Sequence, residues 1–344
     1  MIRYSNIIEA ALLNIGTPLK VFQPSAFLSS SIPWPTLKKW LKYFEEGPLM
    51  YFKILLSNNK IDVLVIPDQA NAWILNFLHK RSIVICHDLY AILSAKGEVI
   101  EHKTNFMGKV YQWLILKGLR KSELVLCVST KTASLATTLL PNSLIQIVEN
   151  PIDPIFESKK ANALISQKTQ EKHNYCLIVM KQPDWRKPRI LSIDTWIKCR
   201  LQNQDAYEKL KIIGRPLTKD ESRMLESHNL NFHVYVYTDV SNEKLLQMYA
   251  EAQLLINITC FEGFGWPVIE ANAMGTVALH GERLFHGSLY SKENFYVETI
   301  ETFDFSKLTR KVDSIKLRHE TIEKFSSARY NSLILDSVRK FISV

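Results

Sequence analysis

The sequence feature that most constrains the fold is a regular alternation of apolar runs and amphipathic segments. Short runs rich in Val, Ile and Leu are predicted to be strands: residues 61–67, 82–88, 123–129, 145–151, 174–180, 209–214, 233–237 and 254–258. Segments with apolar residues at helical spacing lie between most of them: residues 70–80, 107–120, 130–140, 190–201, 220–227 and the stretch after Ser241. Apolar strands that alternate with helices form parallel sheets covered on both faces. We therefore predict an α/β protein whose ligands bind at the carboxyl ends of the strands.

Length and composition limit the class of protein. A chain of 344 residues with 47% hydrophobic residues is long enough for two domains with sizeable cores. No apolar run approaches the roughly 20 residues of a membrane-spanning helix, and the N-terminus lacks the pattern of a secretory signal. The five Cys residues are scattered without metal-type spacing, which favours reduced thiols in a cytoplasmic protein.

The net charge of +9 suits anionic ligands or anionic lipid headgroups. Nucleic acid is not predicted as a partner, because the chain has no zinc-finger spacing, RNP-like run or basic-helix motif.

The most informative motif is FEGFGWPVIEANAMG, residues 261–275. Its two carboxylates, Glu262 and Glu270, have seven residues between them. Gly263 and Gly265 permit a sharp turn and a close approach of backbone N–H groups to a ligand. A proline that suits a helix start and a closing glycine follow, so the motif predicts a strand, a glycine loop and a short helix. The N-terminus of such a helix binds phosphate.

This motif resembles the E-x7-E signature of retaining GT-B glycosyltransferases of family 4, the glycosyl transferases group 1 type. The resemblance implies that Glu270 binds the ribose of a nucleotide sugar and that Glu262 lies beside the donor sugar as a catalytic residue. It also implies that backbone N–H groups of Gly263, Phe264 and Gly265 contact the sugar and the diphosphate. The residues alone also allow an acidic surface loop of an ordinary α/β domain.

A basic turn follows the predicted strand 174–180 and carries Lys181, Arg186 and Lys187. The family has a basic pair here, usually Arg and then Lys, so the resemblance implies that these side chains bind the donor diphosphate and that Lys187 is catalytic. Lys181 takes the Arg position, which keeps the charge but loses the planar guanidinium fork. The alternative is a solvated basic turn.

His87 lies at the end of the predicted strand 82–88. The resemblance implies a catalytic position near the donor sugar. The alternative is a strand-end histidine that is hydrogen bonded to backbone.

The predicted architecture is GT-B, with two Rossmann-like domains that face each other across a cleft. The chain begins with a helix-like segment and has no glycine before Gly16, so we expect the first strand and its glycine turn to be missing. The predicted parts are an acceptor-side domain at 1–150, a linker at 151–173, a nucleotide-sugar domain at 174–330 and a helix at 331–344 that crosses back to the first domain.

The predicted function is hexosyl transfer from a nucleotide-diphosphate sugar to a glycan or lipid-linked acceptor, with retention of anomeric configuration and without a metal or other cofactor. The alternative that a missing first strand favours is a catalytically inactive GT-B subunit or a nucleotide-binding partner module. An epimerase or phosphorylase on the same fold is a lesser alternative.

Residues 34–44 combine Trp34 and Trp40 with Lys38, Lys39 and Lys42. Tryptophan and lysine on one amphipathic helix suit peripheral contact with an anionic membrane, here at the inner face. A helix that packs on its own domain is the alternative, and the sequence favours it.

Overall fold

The computed structural model describes residues 8–10, 12–13, 19–22, 49–57, 61–167, 174–181, 183–282 and 290–342. The chain divides into two compact units. The first contains residues up to Val148 and those from Asn331 onward, and the second is Glu149–Tyr330. The segment at 34–44 and the site of the expected missing strand lie outside the described residues.

The first unit contains a four-stranded parallel sheet in the order β1-β2-β3-β4. Its strands are β1 (Val63–Ile66), β2 (Arg81–Cys86), β3 (Leu124–Cys127) and β4 (Leu144–Ile147). Its helical segments include a 3₁₀ helix (Gln69–Asn76), α1 (Tyr90–Lys96), α2 (Phe106–Leu119) and α3 (Thr130–Leu139). Residues 49–56 are also helical. Strand β3 is buried along its whole length, as expected for an apolar strand inside a parallel sheet.

The second unit contains a six-stranded parallel sheet in the order β10-β9-β8-β5-β6-β7. Its strands are β5 (Tyr175–Met180), β6 (Lys209–Gly214), β7 (Val234–Tyr237), β8 (Leu254–Thr259), β9 (Ala278–Glu282) and β10 (Phe295–Tyr296). Its helices are α4 (Pro154–Glu157), α5 (Lys159–Gln167), α6 (Arg189–Gln202), α7 (Lys219–Ser227), α8 (Asn242–Glu251), α9 (Trp266–Ala273) and α10 (Ser314–Phe325). The described part of this unit also contains the 3₁₀ helices Asn231–His233 and Phe305–Thr309.

The last helix, α11 (Ser327–Ile342), begins in the second unit and ends among residues counted with the first. In the first unit, Arg81 Nη2 donates a hydrogen bond of 2.6 Å to the carbonyl of Phe341, and its guanidinium lies over that ring. The predicted α/β class with parallel sheets is confirmed.

The predicted linker at 151–173 is helical over much of its length. Asp153 caps α4 by accepting a 2.8 Å hydrogen bond from the N–H of Ile155. Ala161 and Ile165, one helical turn apart, are both buried on α5. These few apolar residues are enough to pack a short helix, so helices α4 and α5 occupy part of the predicted linker.

Candidate active site

The strand order of the second sheet defines where a ligand would bind. From β5 the chain first adds β6 and β7 on one side and then adds β8, β9 and β10 on the other. Strands β5 and β8 are therefore neighbours at the point where the order reverses. Open α/β sheets bind ligands beyond the carboxyl ends of the strands at this point. The basic turn follows β5 there, and the glycine loop follows β8.

The basic turn packs against the beginning of the glycine loop. The carbonyl oxygen of Arg186 accepts hydrogen bonds from the N–H groups of Cys260, at 2.7 Å, and Phe261, at 3.1 Å. The ring centroids of Trp185 and Phe261 are 5.4 Å apart. Two segments that are distant in sequence are thus held together by backbone and ring contacts.

Lys187 and Glu262 are in direct contact. The ammonium nitrogen of Lys187 lies 2.7 Å from the Glu262 carboxylate. The Glu262 side chain is only 10% exposed, whereas Lys187 is half-buried. An ammonium group has three N–H donors, so this contact uses part of the donor capacity of Lys187.

A buried ion pair anchors the end of the basic turn. Arg189, two residues after Lys187, pairs with Glu221 through contacts of 2.5 and 2.9 Å. Its guanidinium also donates to the carbonyls of Arg215 and Pro216. Burial alone would raise the pKa of Glu221, but the hydrogen bonds from Arg189 and Thr218 outweigh it and lower that pKa.

The other two basic side chains of the turn, Arg186 and Lys181, differ from Lys187 in their partners. Arg186 is held by Asp184, with 2.9 Å between Nη2 and Oδ2. Burial would raise the pKa of Asp184, but hydrogen bonds and charge from Arg186 lower it overall. Lys181 is exposed and forms no ion pair with any residue that the structure describes.

The glycine loop ends in a conformation that requires glycine. Gly265 has φ +82° and is the N-cap of α9. A Cβ at this position would lie 1.6 Å from Oη of Tyr290, which donates a 3.1 Å hydrogen bond to the Phe264 carbonyl. Because the N-cap is glycine, it has no side chain to accept hydrogen bonds from the first turn of the helix. Pro267 has no N–H and the N–H of Val268 donates to the Gly265 carbonyl at 3.1 Å, so an anionic ligand would be served by N–H groups of the loop and of Trp266 and not by the whole first turn.

Glu270 is fixed by the core of the second unit. It is the fifth residue of α9 and is 7% exposed. Its Oε2 accepts a 2.8 Å hydrogen bond from the hydroxyl of Tyr249, which is fully buried on α8. Tyr249 in turn packs edge to face against Phe156 of α4.

His87 lies in the first unit, directly after β2. Its Nε2 is 3.0 Å from the carbonyl oxygen of Pro67, and its backbone N–H donates to Gln69 Oε1. The amide of Gln69 donates to the carbonyl of Asp88, which closes this local network. The half-buried ring thus has the backbone contact that the alternative interpretation expects, and a catalytic role for His87 stays a prediction.

Sequence reasoning missed several residues that shape this site. Asp184 lies two positions before Arg186, a spacing that could have suggested their pairing. Tyr249 is recognisable only as a core position of its helix, and Tyr290 follows the motif by fifteen residues. Nothing in their spacing indicates contacts with Glu270 and Phe264.

No three His, Cys, Asp or Glu side chains in the described part of the chain are grouped to hold a metal ion. Among the described helices, none is both long and apolar enough to cross a membrane.

The stretch that carries the basic turn and the glycine loop is similar in sequence to known glycosyltransferases. Residues 166–295 match the family model described as Glycosyl transferases group 1. The O-antigen chain mannosyltransferase RfbU of Salmonella typhimurium (strain LT2) is 30% identical over 195 residues, which cover 54% of this chain and 52% of that protein. The match therefore spans about half the length of this relative.

Solved structures resemble most of the chain. Sucrose-phosphate synthase from Thermosynechococcus elongatus has a TM-score of 0.64 at 15% identity, with 88% of this chain and 79% of that chain covered. Anabaena HepE, solved in complex with UDP, has a TM-score of 0.63 at 14% identity, with coverage of 96% and 89%. A UDP-forming trehalose-phosphate synthase from Burkholderia xenovorans has a TM-score of 0.62 at 10% identity, with coverage of 90% and 80%.

The fold is GT-B. At identities of 10–15%, similarity to these solved structures establishes the fold alone. Within this GT-B chain, the basic turn and the glycine loop both fall inside the range that matches the family model, whereas His87 falls outside it.

Proposed function

We propose that the protein is a retaining, metal-independent hexosyltransferase of family 4. It would transfer a sugar from a nucleotide-diphosphate sugar to a glycan or a lipid-linked saccharide. The observation that carries this proposal is the 2.7 Å contact between Lys187 and Glu262 where β5 and β8 end. This contact joins the two motifs within the stretch that matches Glycosyl transferases group 1.

The donor diphosphate is proposed to bind between the basic turn and the start of α9. Lys181, Arg186 and Lys187 supply positive charge, and the N–H groups of Gly263 to Gly265 supply hydrogen bonds. Lys187 is held close to the loop by Glu262 and has further donors for a phosphate oxygen. Arg186 would exchange part of its pairing with Asp184 for the ligand.

In this proposal, Glu270 binds the nucleoside of the donor and Glu262 binds its sugar. Glu270, held by Tyr249, accepts hydrogen bonds from the ribose hydroxyls. Glu262 accepts hydrogen bonds from the sugar hydroxyls and keeps Lys187 in place. His87 is proposed to contribute from the acceptor-side unit.

The chemistry requires stabilisation of a leaving group. The bond between the anomeric carbon and the diphosphate oxygen breaks, and the acceptor oxygen bonds to the same carbon on the same face. The acceptor proton passes to the leaving diphosphate. Because negative charge builds up on that diphosphate, fixed cations and N–H groups lower the barrier. No pair of catalytic carboxylates of the glycosidase kind is required.

The relatives guide the choice of donor and acceptor. RfbU is named as an O-antigen chain mannosyltransferase, so a mannosyl donor and a polysaccharide-type acceptor are the first candidates. UDP-sugars come next, because HepE was solved with UDP.

The first experiment is a screen of the purified chain against nucleotide-diphosphate sugars in the presence of a chelator. We expect one donor to raise the melting temperature and to be hydrolysed slowly to its nucleoside diphosphate. With the acceptor added, the product should keep the anomeric configuration of the donor. Stabilisation without turnover would favour an inactive subunit, and no response to any donor would contradict the nucleotide site.

The site assignment is tested by Lys187→Ala. We expect kcat/KM to fall by about 10²–10³-fold, as when one oxyanion donor is removed. Lys198→Ala is the matched control, because Lys198 forms a half-exposed ion pair with Asp194 on α6, and it should leave turnover unchanged. Equal activity of the two variants would exclude Lys187 from the site.

A further inference from the structure

Backbone and side-chain contacts hold helix α2 against the 3₁₀ helix Gln69–Asn76. A Cβ on Gly118 would lie 1.9 Å from the carbonyl oxygen of Ala72, so the two helices approach at backbone distance. The hydroxyl of Tyr111 donates to the carbonyl of Ala70 at 3.1 Å. The amide of Asn76 donates to the carbonyl of Leu114 at 2.9 Å. One side of α2 therefore packs against the rest of the first unit.

The opposite side of α2 carries an exposed stripe of three apolar residues and one lysine. Phe106, Val110, Trp113 and Lys117 are spaced by four, three and four residues, which puts them on one line along the helix. Phe106 is 77% exposed and Trp113 is 57% exposed. We call these four residues the α2 stripe. Contiguous exposed aromatic and aliphatic side chains of this kind mark an interaction surface.

The charged residues on α2 and in the segment directly before it, from His102 onward, are all basic. Lys103 and Lys109 are exposed beside it, and the ammonium of Lys117 lies 5.2 Å from the centroid of the Trp113 ring. These three lysines form no ion pair with any described residue. The sequence contains no Asp or Glu from His102 to Ser122.

We propose that the α2 stripe is a docking surface for an anionic membrane. Tryptophan and phenylalanine insert their rings at the boundary between headgroups and acyl chains, and lysines around them contact anionic headgroups. A protein partner would need acidic residues to match this surface, whereas an anionic bilayer offers both the apolar layer and the charge. The proposal goes beyond the proposed function and does not depend on it, because binding is measured without a nucleotide sugar.

The test is co-sedimentation of the full chain with lipid vesicles that contain or lack phosphatidylglycerol. Wild type should bind the anionic vesicles, more weakly as salt is raised, and should not bind pure phosphatidylcholine. Phe106→Ser with Trp113→Ser should weaken binding at least about tenfold. Lys109→Gln with Lys117→Gln should weaken it about fivefold per lysine.

Matched controls lie on the second unit. Phe232→Ser removes a ring that is 84% exposed, and Lys219→Gln with Lys311→Gln removes two exposed lysines. Both should bind vesicles like wild type. Thermal unfolding of all variants checks that the substitutions leave the fold intact.

Three results would overturn the proposal. One is equal binding of wild type to neutral and anionic vesicles, or no binding to either. Another is vesicle binding that survives the α2 substitutions but is lost in Trp34→Ser with Trp40→Ser. The third is Trp113-dependent dimerisation in solution without vesicle binding, which would make a second copy of the chain the occupant.

Discussion

Glu262 and Glu270 belong to one motif, but their side chains have different kinds of partner. Glu262 contacts the charged and half-buried Lys187 of the basic turn. Glu270 accepts a hydrogen bond from the buried hydroxyl of Tyr249. A carboxylate paired with a cation at a loop can rearrange when a ligand arrives, whereas one fixed by the core is rigid. This difference supports a role for Glu262 in the rate of sugar transfer and a role for Glu270 in binding the donor.

The binding role of Glu270 predicts the behaviour of Tyr249→Phe. Loss of the hydroxyl removes a buried hydrogen bond to a carboxylate, which costs roughly 1.5–3 kcal/mol of stability. The freed carboxylate should also be less well oriented for the ribose. We expect KM for the donor to rise by about tenfold, while kcat changes by less than about twofold. Steady-state kinetics and thermal unfolding measure the two effects.

Tyr175→Phe is the control for that variant. The hydroxyl of Tyr175 donates a 2.8 Å buried hydrogen bond to the carbonyl of Met248, next to Tyr249, but it does not contact Glu270. The control should be destabilised without any change in KM. If both variants raised KM alike, the effect would come from a loosened helix and not from Glu270.

At the residue scale, the sequence predicts which residue types lie at the strand ends but not their pairing. Lys187 and Glu262 could be named from their motifs, yet they are 75 residues apart and their contact depends on the strand order. Arg186 pairs with Asp184 in the same turn, a local contact that the spacing of two residues could have suggested. Side-chain pairing depends on distances that a motif does not contain.

The start of α9 is the element on which the proposed phosphate site depends, and Gly265→Ala tests it. Alanine at φ +82° costs about 1–2 kcal/mol by itself. Its Cβ would also displace the buried Tyr290 and break the hydrogen bond to Phe264. We expect a total loss of about 3 kcal/mol or more, together with loss of donor-induced stabilisation in a thermal-shift assay.

The control variant Gly97→Ala separates the cost of the left-handed backbone conformation from the cost of the steric clash with Tyr290 in Gly265→Ala. Gly97 has φ +83°, but a Cβ there would meet nothing within 4 Å. This variant should lose only the roughly 1–2 kcal/mol of the left-handed conformation. Its response to the donor should equal that of wild type. Similar losses in both variants would mean that Tyr290 yields to the added methyl group without cost.

At the scale of elements, strands and helices are predicted from sequence where a single hydrophobic pattern dominates the segment. The predicted strand at 209–214 coincides with β6, and the other predicted strands overlap β1 to β5, β7 and β8. The central strands β2, β3, β5 and β8 give clear apolar runs because they are buried on both faces of their sheets. The edge strands β4 and β7 are apolar but partly exposed. Helices α4 and α5 escaped prediction, because Phe156, Ala161 and Ile165 are too few to produce a period. The segment predicted as a helix at 70–80 is the shorter 3₁₀ helix Gln69–Asn76.

At the scale of the whole molecule, stability is linked to a histidine beside the site. His280 on β9 is buried, and its ring packs against the rings of Tyr290 and Tyr296. Burial lowers the pKa of His280 from 6.5 to about 4, because the charged form loses its hydration. The same Tyr290 supports the loop at Phe264. Protonation of His280 would therefore disturb the packing beneath the proposed donor site.

This linkage predicts how unfolding responds to acid. Between pH 6.5 and about 4 the unfolded chain carries a proton on His280 that the folded chain does not, so stability falls as pH falls through this window. The loss from this residue alone is about 2 kcal/mol between pH 7 and pH 5. In His280→Phe, which keeps an aromatic ring, the melting temperature should depend less on pH across this window. His319→Gln is the control, because His319 is largely exposed on α10, and it should keep the wild-type slope. A wild-type slope in His280→Phe would assign the acid sensitivity to other groups.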